Sequence, residues 1–169
     1  MSLSMYQASV PVFVRGLKIL STLIGKAETY TTEHGNDPAE LLEARLAPDM
    51  LSLTGQVQRA SDTSKLSGQR LSGVAAPRFE DTETSFAELE QRIAKSIAYL
   101  ETLEPAQFEG SESRSIQLNF GDFKPSFKGD SYLLTFALPN FFFHLTTAHD
   151  ILRHNGLPIG KLDYLGPFS

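Results

Sequence analysis

Apolar positions recur at alternating steps of four and three in several separate stretches of the chain. In the first, Tyr6, Val10, Phe13, Leu17, Leu20, Ile24 and Ala27 make one stripe, the seam of a long helix packed nearly parallel or antiparallel to its neighbours. Pro11 fits within the opening turns, and bends the helix if it begins as early as Ser4. Asp37-Pro38-Ala39-Glu40 then supplies an N-cap, a proline at the first helical position and a capping-box glutamate for a short helix, which Pro48 ends after Leu46. The second long helix is expected to open on Asp49 and to carry the stripe Leu53, Val57, Ala60, Ser64, Ser67 and Leu71. Half of that stripe is small, so another helix can approach closely, and this helix belongs in the crowded centre of the assembly. After a loop from Gly73 to Thr82, a second capping box at Ser85 and Glu88 opens a third helix through Phe86, Leu89, Ile93, Ile97, Leu100 and Leu103, with Glu88, Glu90, Arg92 and Lys95 on its solvated side.

The period then changes. Ser115 to Phe120 alternates as a half-buried strand does, Gly121-Asp122 is a two-residue turn, and Phe123 to Lys128 returns. Pro125 assigns the returning strand to an edge, as in a small flap. A fourth long helix is expected to be capped by Asp130 or Ser131, to be kinked by Pro139 and to run to Asn155 before Gly156. These elements predict an all-α four-helix bundle with long crossovers, one short extra helix and a β-hairpin before the last helix.

Composition narrows the function classes. With 169 residues, the chain can bury about two thirds of its unfolded surface in one core, and is read as a single domain over 1–169. It has no cysteine, which removes thiolate catalysis and zinc–thiolate sites and fits a reducing, cytoplasmic setting. Met1 to Gly16 carries only Arg15 as a charge and lacks the basic-then-apolar pattern of an export signal. The run from Leu133 to Phe143 is interrupted by Thr135, Pro139 and Asn140, and falls short of the ~20 residues of a membrane span. A net charge of −5 with scattered Lys and Arg argues against a nucleic-acid partner.

Candidate chemistry centres on the last helix. Phe141, His144, Leu145, Ala148, Ile151, Leu152 and Asn155 share one side of it at ~100° per residue, so His144 is expected to be buried, and needs a hydrogen-bond partner on another helix or an ion. His144, His149 and His154 are five apart, which turns successive side chains by ~140° and prevents convergence on one metal. His149 and His154 are read as surface residues, His154 complementing the helix dipole, and His34 as a loop residue. Asp62 is the best carboxylate candidate because aspartate is disfavoured in mid-helix, although the seam places it ~200° from Ala60, toward solvent. Phe141, Phe142 and Phe143 surround their helix, so one must meet a second surface, either the hairpin or short helix or a second copy of the chain.

Five stretches, MSLSMYQASVPVFVRGL at Met1 to Leu17, EARLAPDM at Glu43 to Met50, QVQRASD at Gln56 to Asp62, FEDTETSFAELEQRI at Phe79 to Ile93 and LPNFFFHLTTAHDILRHNG at Leu138 to Gly156, give the chain a resemblance over nearly its whole length to a bacterial domain-of-unknown-function family of the DinB/YfiT-like superfamily. That resemblance implies an up-down-down-up bundle. It also implies a divalent metal, zinc or nickel, held by three histidines, one on the second long helix and two at i and i+4 on the last, serving metalloenzymes or thiol-dependent transferases and isomerases. His144 matches the first histidine of the last-helix pair and is the residue implied as metal ligand. Ala148 stands at the second, and the second helix offers only Asp62 or a neighbouring glutamine.

Two functions follow from these readings. One is a non-catalytic, small-ligand-binding or simply homodimeric bundle with a degraded metal site, in which His144 is a hydrogen-bonded core residue. The other is a metal-dependent small-molecule enzyme in which His144 is ligand or general base and Asp62 orients it or the substrate.

Overall fold

A computed structural model describes residues 3–167. Helix α1 (Val10–His34) has Pro11 in its first turn, where the missing N–H has no intrahelical acceptor to lose. His34 is the last residue of this helix rather than a loop residue, and its ring stacks on Tyr30 at 4.0 Å. Helix α2 (Pro38–Leu42) is capped by Asp37, whose Oδ1 accepts from Ala39 N at 3.0 Å. It ends at Leu42, earlier than Leu46, because the carbonyl of Ala44 accepts from Leu53 N at 2.9 Å and turns the chain into the next helix. The same tie decides the cap of α3 (Leu53–Ser72), which is Ser52 and not Asp49. Both residue types cap well; only the tertiary bond distinguishes them.

Helix α4 (Phe86–Glu101) opens on Ser85, whose Oγ accepts from Glu88 N at 3.2 Å, but Glu88 reaches back to Thr84 N at 2.6 Å and not to Ser85. Strands β1 (Ser115–Gln117) and β2 (Ser126–Lys128) pair antiparallel, Ile116 opposite Phe127, and the same register continues to the bridge between Phe120 and Phe123. Gly121, first of the two central turn residues, has φ 70°, as a type II′ turn requires. Leu118 N donates to the Pro125 carbonyl at 2.9 Å, and the return bond of that pair, from position 125 to the Leu118 carbonyl, is the one the proline forgoes.

The expected single last helix is three pieces: α5 (Gly129–Tyr132), a π turn over Leu133–Ala137, and α6 (Leu138–His154). Pro139 has no N–H for the carbonyl one turn back, and the π turn shifts the ladder so that Leu138 N bonds Leu133 O. Neither Asp130 nor Ser131 caps it; the helical run begins at Gly129 with Lys128 before it. A side chain at Gly129 would collide with the carbonyl of Ser111, which explains the glycine where the flap enters the helix. A short α7 (Lys161–Leu165) follows, without a counterpart in the sequence pattern.

Packing gives the directions. Lys18 meets Glu101 and Ser21 meets Glu90, so α1 and α4 are antiparallel. Gln58 meets Glu83 and Ser61 meets Ser96, so α3 and α4 are parallel. Gln56 meets His144 and Ser67 meets Tyr132, so α3 opposes the last helical run. The order is therefore up-down-down-up. Thirteen of the 20 residues of α3 are buried against nine of 25 in α1, which makes α3 the central helix. A Cβ on Gly68 would lie 2.9 Å from Leu103, the close approach that its small stripe anticipates. The residues of the seams named for α1, α3 and α4 are buried except Tyr6 and Ile97, which are half-buried, and on the last helix Asn155, expected on the apolar side, is exposed.

Candidate functional site

Beside its apolar stripe, α3 carries a polar one: Gln56, Arg59, Thr63, Ser67 and Arg70, again at steps of three and four. It faces α6, the π turn and the hairpin. His144 is buried and its Nδ1 lies 2.7 Å from Gln56 Oε1. The Gln56 amide is itself oriented, because its Nε2 donates to Leu51 O at 3.1 Å. The His144 Nδ1–H is therefore the donor, and Nε2 carries a lone pair with no partner among the described residues. Burial, and next the positive charge of Arg59, push the imidazole down to about 4, so the ring is neutral at physiological pH.

Asp62 is not joined to His144. It is half-buried rather than solvated, its Oδ1 accepting from Arg92 at 2.9 Å and Lys65 at 3.1 Å, with Arg59 3.5 Å from Oδ2. Arg92, expected on the solvated face of α4, is 2% exposed. Its guanidinium reaches Asp62, Asp81, Glu83, Ser61 and the carbonyl of Glu80, and lies over the ring of Phe79. The loop before α4 supplies Phe79, Glu80, Asp81 and Glu83, and α3 supplies Ser61 and Asp62. Burial raises the Glu83 carboxyl, but hydrogen bonds from Gln58 and Arg92 outweigh it and hold the group below the usual carboxylate range.

His149 is also buried, not a surface residue. Its Nδ1 lies 3.0 Å from Asp150 and its Nε2 3.1 Å from the carbonyl of Gly160, so it fastens the segment before α7 and turns away from His144. His154 is exposed. Ala148, at the second histidine position of the superfamily, is fully buried with only a methyl group to offer. Zinc and nickel sites need three or four convergent donors. Among the described residues no group of three or more His, Cys, Asp or Glu is placed to hold a metal ion, and the residues present do not fit the superfamily's metal.

A cleft of about 200 Å³ opens beside this polar stripe, lined by Arg59, Thr63 and Arg70 of α3, Asn140 of α6, and Phe120 and Phe136. Its polar groups are held by directed bonds. Ser67 donates to Thr63 O at 2.6 Å, so Tyr132 O–H donates to Ser67 Oγ at 2.8 Å and Arg70 Nη1 donates to Tyr132 Oη at 2.9 Å. Asn140 Nδ2 donates to Thr63 Oγ1 at 2.8 Å. A larger hollow of about 660 Å³ lies between α1 and α7, but its Arg15 is already committed to the carbonyls of Leu165 and Pro167. Sequence reasoning found His144 and its need for a partner and offered a glutamine near Asp62, but it placed Arg92 on the solvated side and passed over Arg59, Arg70 and Tyr132. The helical spacing of the polar stripe was the available signal for the α3 members.

Residues 5–165 match the family described as a domain of unknown function, DUF1993. The chain is similar to the crystal structure of a DinB family member protein from Shewanella denitrificans, with 40% identity, a TM-score of 0.92, and coverage of 98% of this chain and 93% of that one. No curated protein matches it. No helix among the described residues is long and apolar enough to cross a membrane. With the up-down-down-up bundle and the match over nearly all its length, the chain belongs to the DUF1993 family of DinB-like helical bundles.

Proposed function

We propose that this protein is a non-catalytic, small-ligand-binding bundle that acts as a homodimer, its binding site the α3–α6 cleft lined by Arg59, Thr63, Arg70 and Asn140, with His144 one turn beyond Asn140 on α6. The observation that carries this reading is the Gln56–His144 pair: the second-helix partner of the histidine is an amide that fixes its tautomer, and no further donors converge on it. A ring held near 4 is a poor proton acceptor at neutral pH, yet its free Nε2 can accept a hydrogen bond from a ligand. Dimerisation is supported by large apolar side chains that the last helical run leaves in solvent, Phe143 and Leu134, 54% and 63% exposed. Light scattering should therefore give twice the 18.6 kDa chain mass; a monomer at micromolar concentration removes that part.

The free Nε2 lone pair also favours a second reading, a metal-dependent small-molecule enzyme of the thiol transferase or isomerase type, with His144 as ligand. Zinc and nickel quantified in the purified protein and in His144→Ala separate the two. Metal far below one ion per chain, unchanged by the substitution, is expected. Near-stoichiometric metal lost with His144 reverses the conclusion.

A further inference from the structure

We infer that the α3–α6 cleft takes a small monocarboxylate with an apolar or aromatic body, its carboxylate received by Arg70. This deepens the ligand-binding reading and rests on it. The charged belt on α3 and its surroundings contains four cations, Arg59, Lys65, Arg70 and Arg92, against three carboxylates, Asp62, Asp81 and Glu83. Arg70 is the cation of these four left without a carboxylate: among the described residues its guanidinium meets Tyr132, donating to the hydroxyl at 2.9 Å and lying over the ring at 5.6 Å. In a chain of net charge −5, this is a spot of positive excess.

The geometry prepares that guanidinium. The directed chain from Arg70 through Tyr132 and Ser67 to the carbonyl of Thr63 fixes Nη1 and leaves the remaining N–H donors of the fork for an acceptor. A planar fork is matched by a carboxylate's two oxygens. Thr63 Oγ1 already accepts from Asn140, so its hydroxyl proton is available as a second donor from the same wall. Opposite these groups stand Phe120 and Phe136, ring centroids 5.8 Å apart. Phe120 remains 53% exposed on the hairpin and would lose water-facing surface to an apolar ligand body. Asp62 also lines the cleft, and its charge opposes a dianion such as phosphate. The volume of about 200 Å³ is below the ~300–1,000 Å³ of sites for drug-sized ligands, which limits the ligand to a few heavy atoms.

Titration calorimetry and NMR with benzoate, benzamide and inorganic phosphate test this. Benzoate is expected to bind and to shift the resonances of Arg70 and Phe120, with benzamide and phosphate each about tenfold weaker or more, the discrimination of a charge-assisted hydrogen-bond pair. Arg70→Gln should remove that preference and leave benzamide unchanged; Arg70→Lys should restore part of it. Equal binding of benzoate and benzamide to the wild-type protein overturns the carboxylate assignment and leaves the ligand-binding reading standing, as does phosphate binding more tightly than benzoate. Binding of none of the three, up to solubility, overturns the proposal. Resonance shifts at His144 with other small molecules would then decide whether the ligand-binding reading survives.

Discussion

Helix α3 meets polar groups on two sides and leaves them in opposite states. Toward α4, the Arg92 guanidinium is shared among Asp62, Asp81, Glu83 and Ser61, and Lys65 is held by Asp62. Toward α6, His144 uses one ring nitrogen and Arg70 uses one donor on a neutral hydroxyl. A saturated network holds structure, because any newcomer must first displace an existing partner. A network with spare capacity, itself fixed by directed bonds, can receive a ligand at no such cost. The α4 side thus fastens the loop before that helix, and the α6 side carries the candidate site.

Substitutions can break that contrast, and the largest effect belongs to the saturated side. Arg92→Ala should destabilise the fold by about 3–5 kcal/mol, since it strands partly buried carboxylates; a melting shift as small as that of an exposed residue would show the cluster to be solvated. Core truncations come next. Leu17 and Ile93 are fully buried, so Leu17→Ala and Ile93→Ala should each lose about 2–5 kcal/mol through cavity formation, and near-neutral melts at both would refute the helix register.

The sites also separate by pH. The unfolded ring of His144 titrates near 6.5 and the folded one near 4, so between those values the unfolded chain binds more protons and stability falls as pH drops from 6.5 toward 4. His144→Ala should flatten that slope in urea titrations. Glu83, held low in the folded state, adds a loss only below ~4.3, as its carboxyl protonates. A slope in the 4–6.5 window that persists in His144→Ala would assign it elsewhere. The smallest stability effect is expected at Arg70: Arg70→Gln should cost about 1–2 kcal/mol, a single hydrogen bond from a charged donor to a neutral hydroxyl, although it should abolish carboxylate preference in the cleft.

Much of the fold was legible from local chemistry. The seams from Val10 to Ala27, Leu53 to Leu71 and Phe86 to Leu103, the cap at Ser85 and the Gly121 turn are all set by residues within a few positions of one another, and the structure reproduces them. His144 was legible too, because a histidine on an apolar stripe demands a partner. Three misreadings share one cause. Arg92, Asp62 and His149 look solvated when each helix is taken alone, and become buried only when the loop before α4, or the segment before α7, comes to lie over them. Asp49 and Ser52 are equivalent caps until Ala44 binds Leu53.

By itself the sequence determined which faces of the helices are apolar, where they begin to within a turn, and that a neutral-tautomer problem exists at position 144, since periodicity and capping are properties of neighbouring residues. Only the tertiary structure decided that Gln56 answers His144, that Asp62 belongs to Arg92, and that Arg70 is left with unspent donors. Those outcomes depend on which groups from different helices come within hydrogen-bond reach, a distance of ~3 Å that no spacing along the chain encodes.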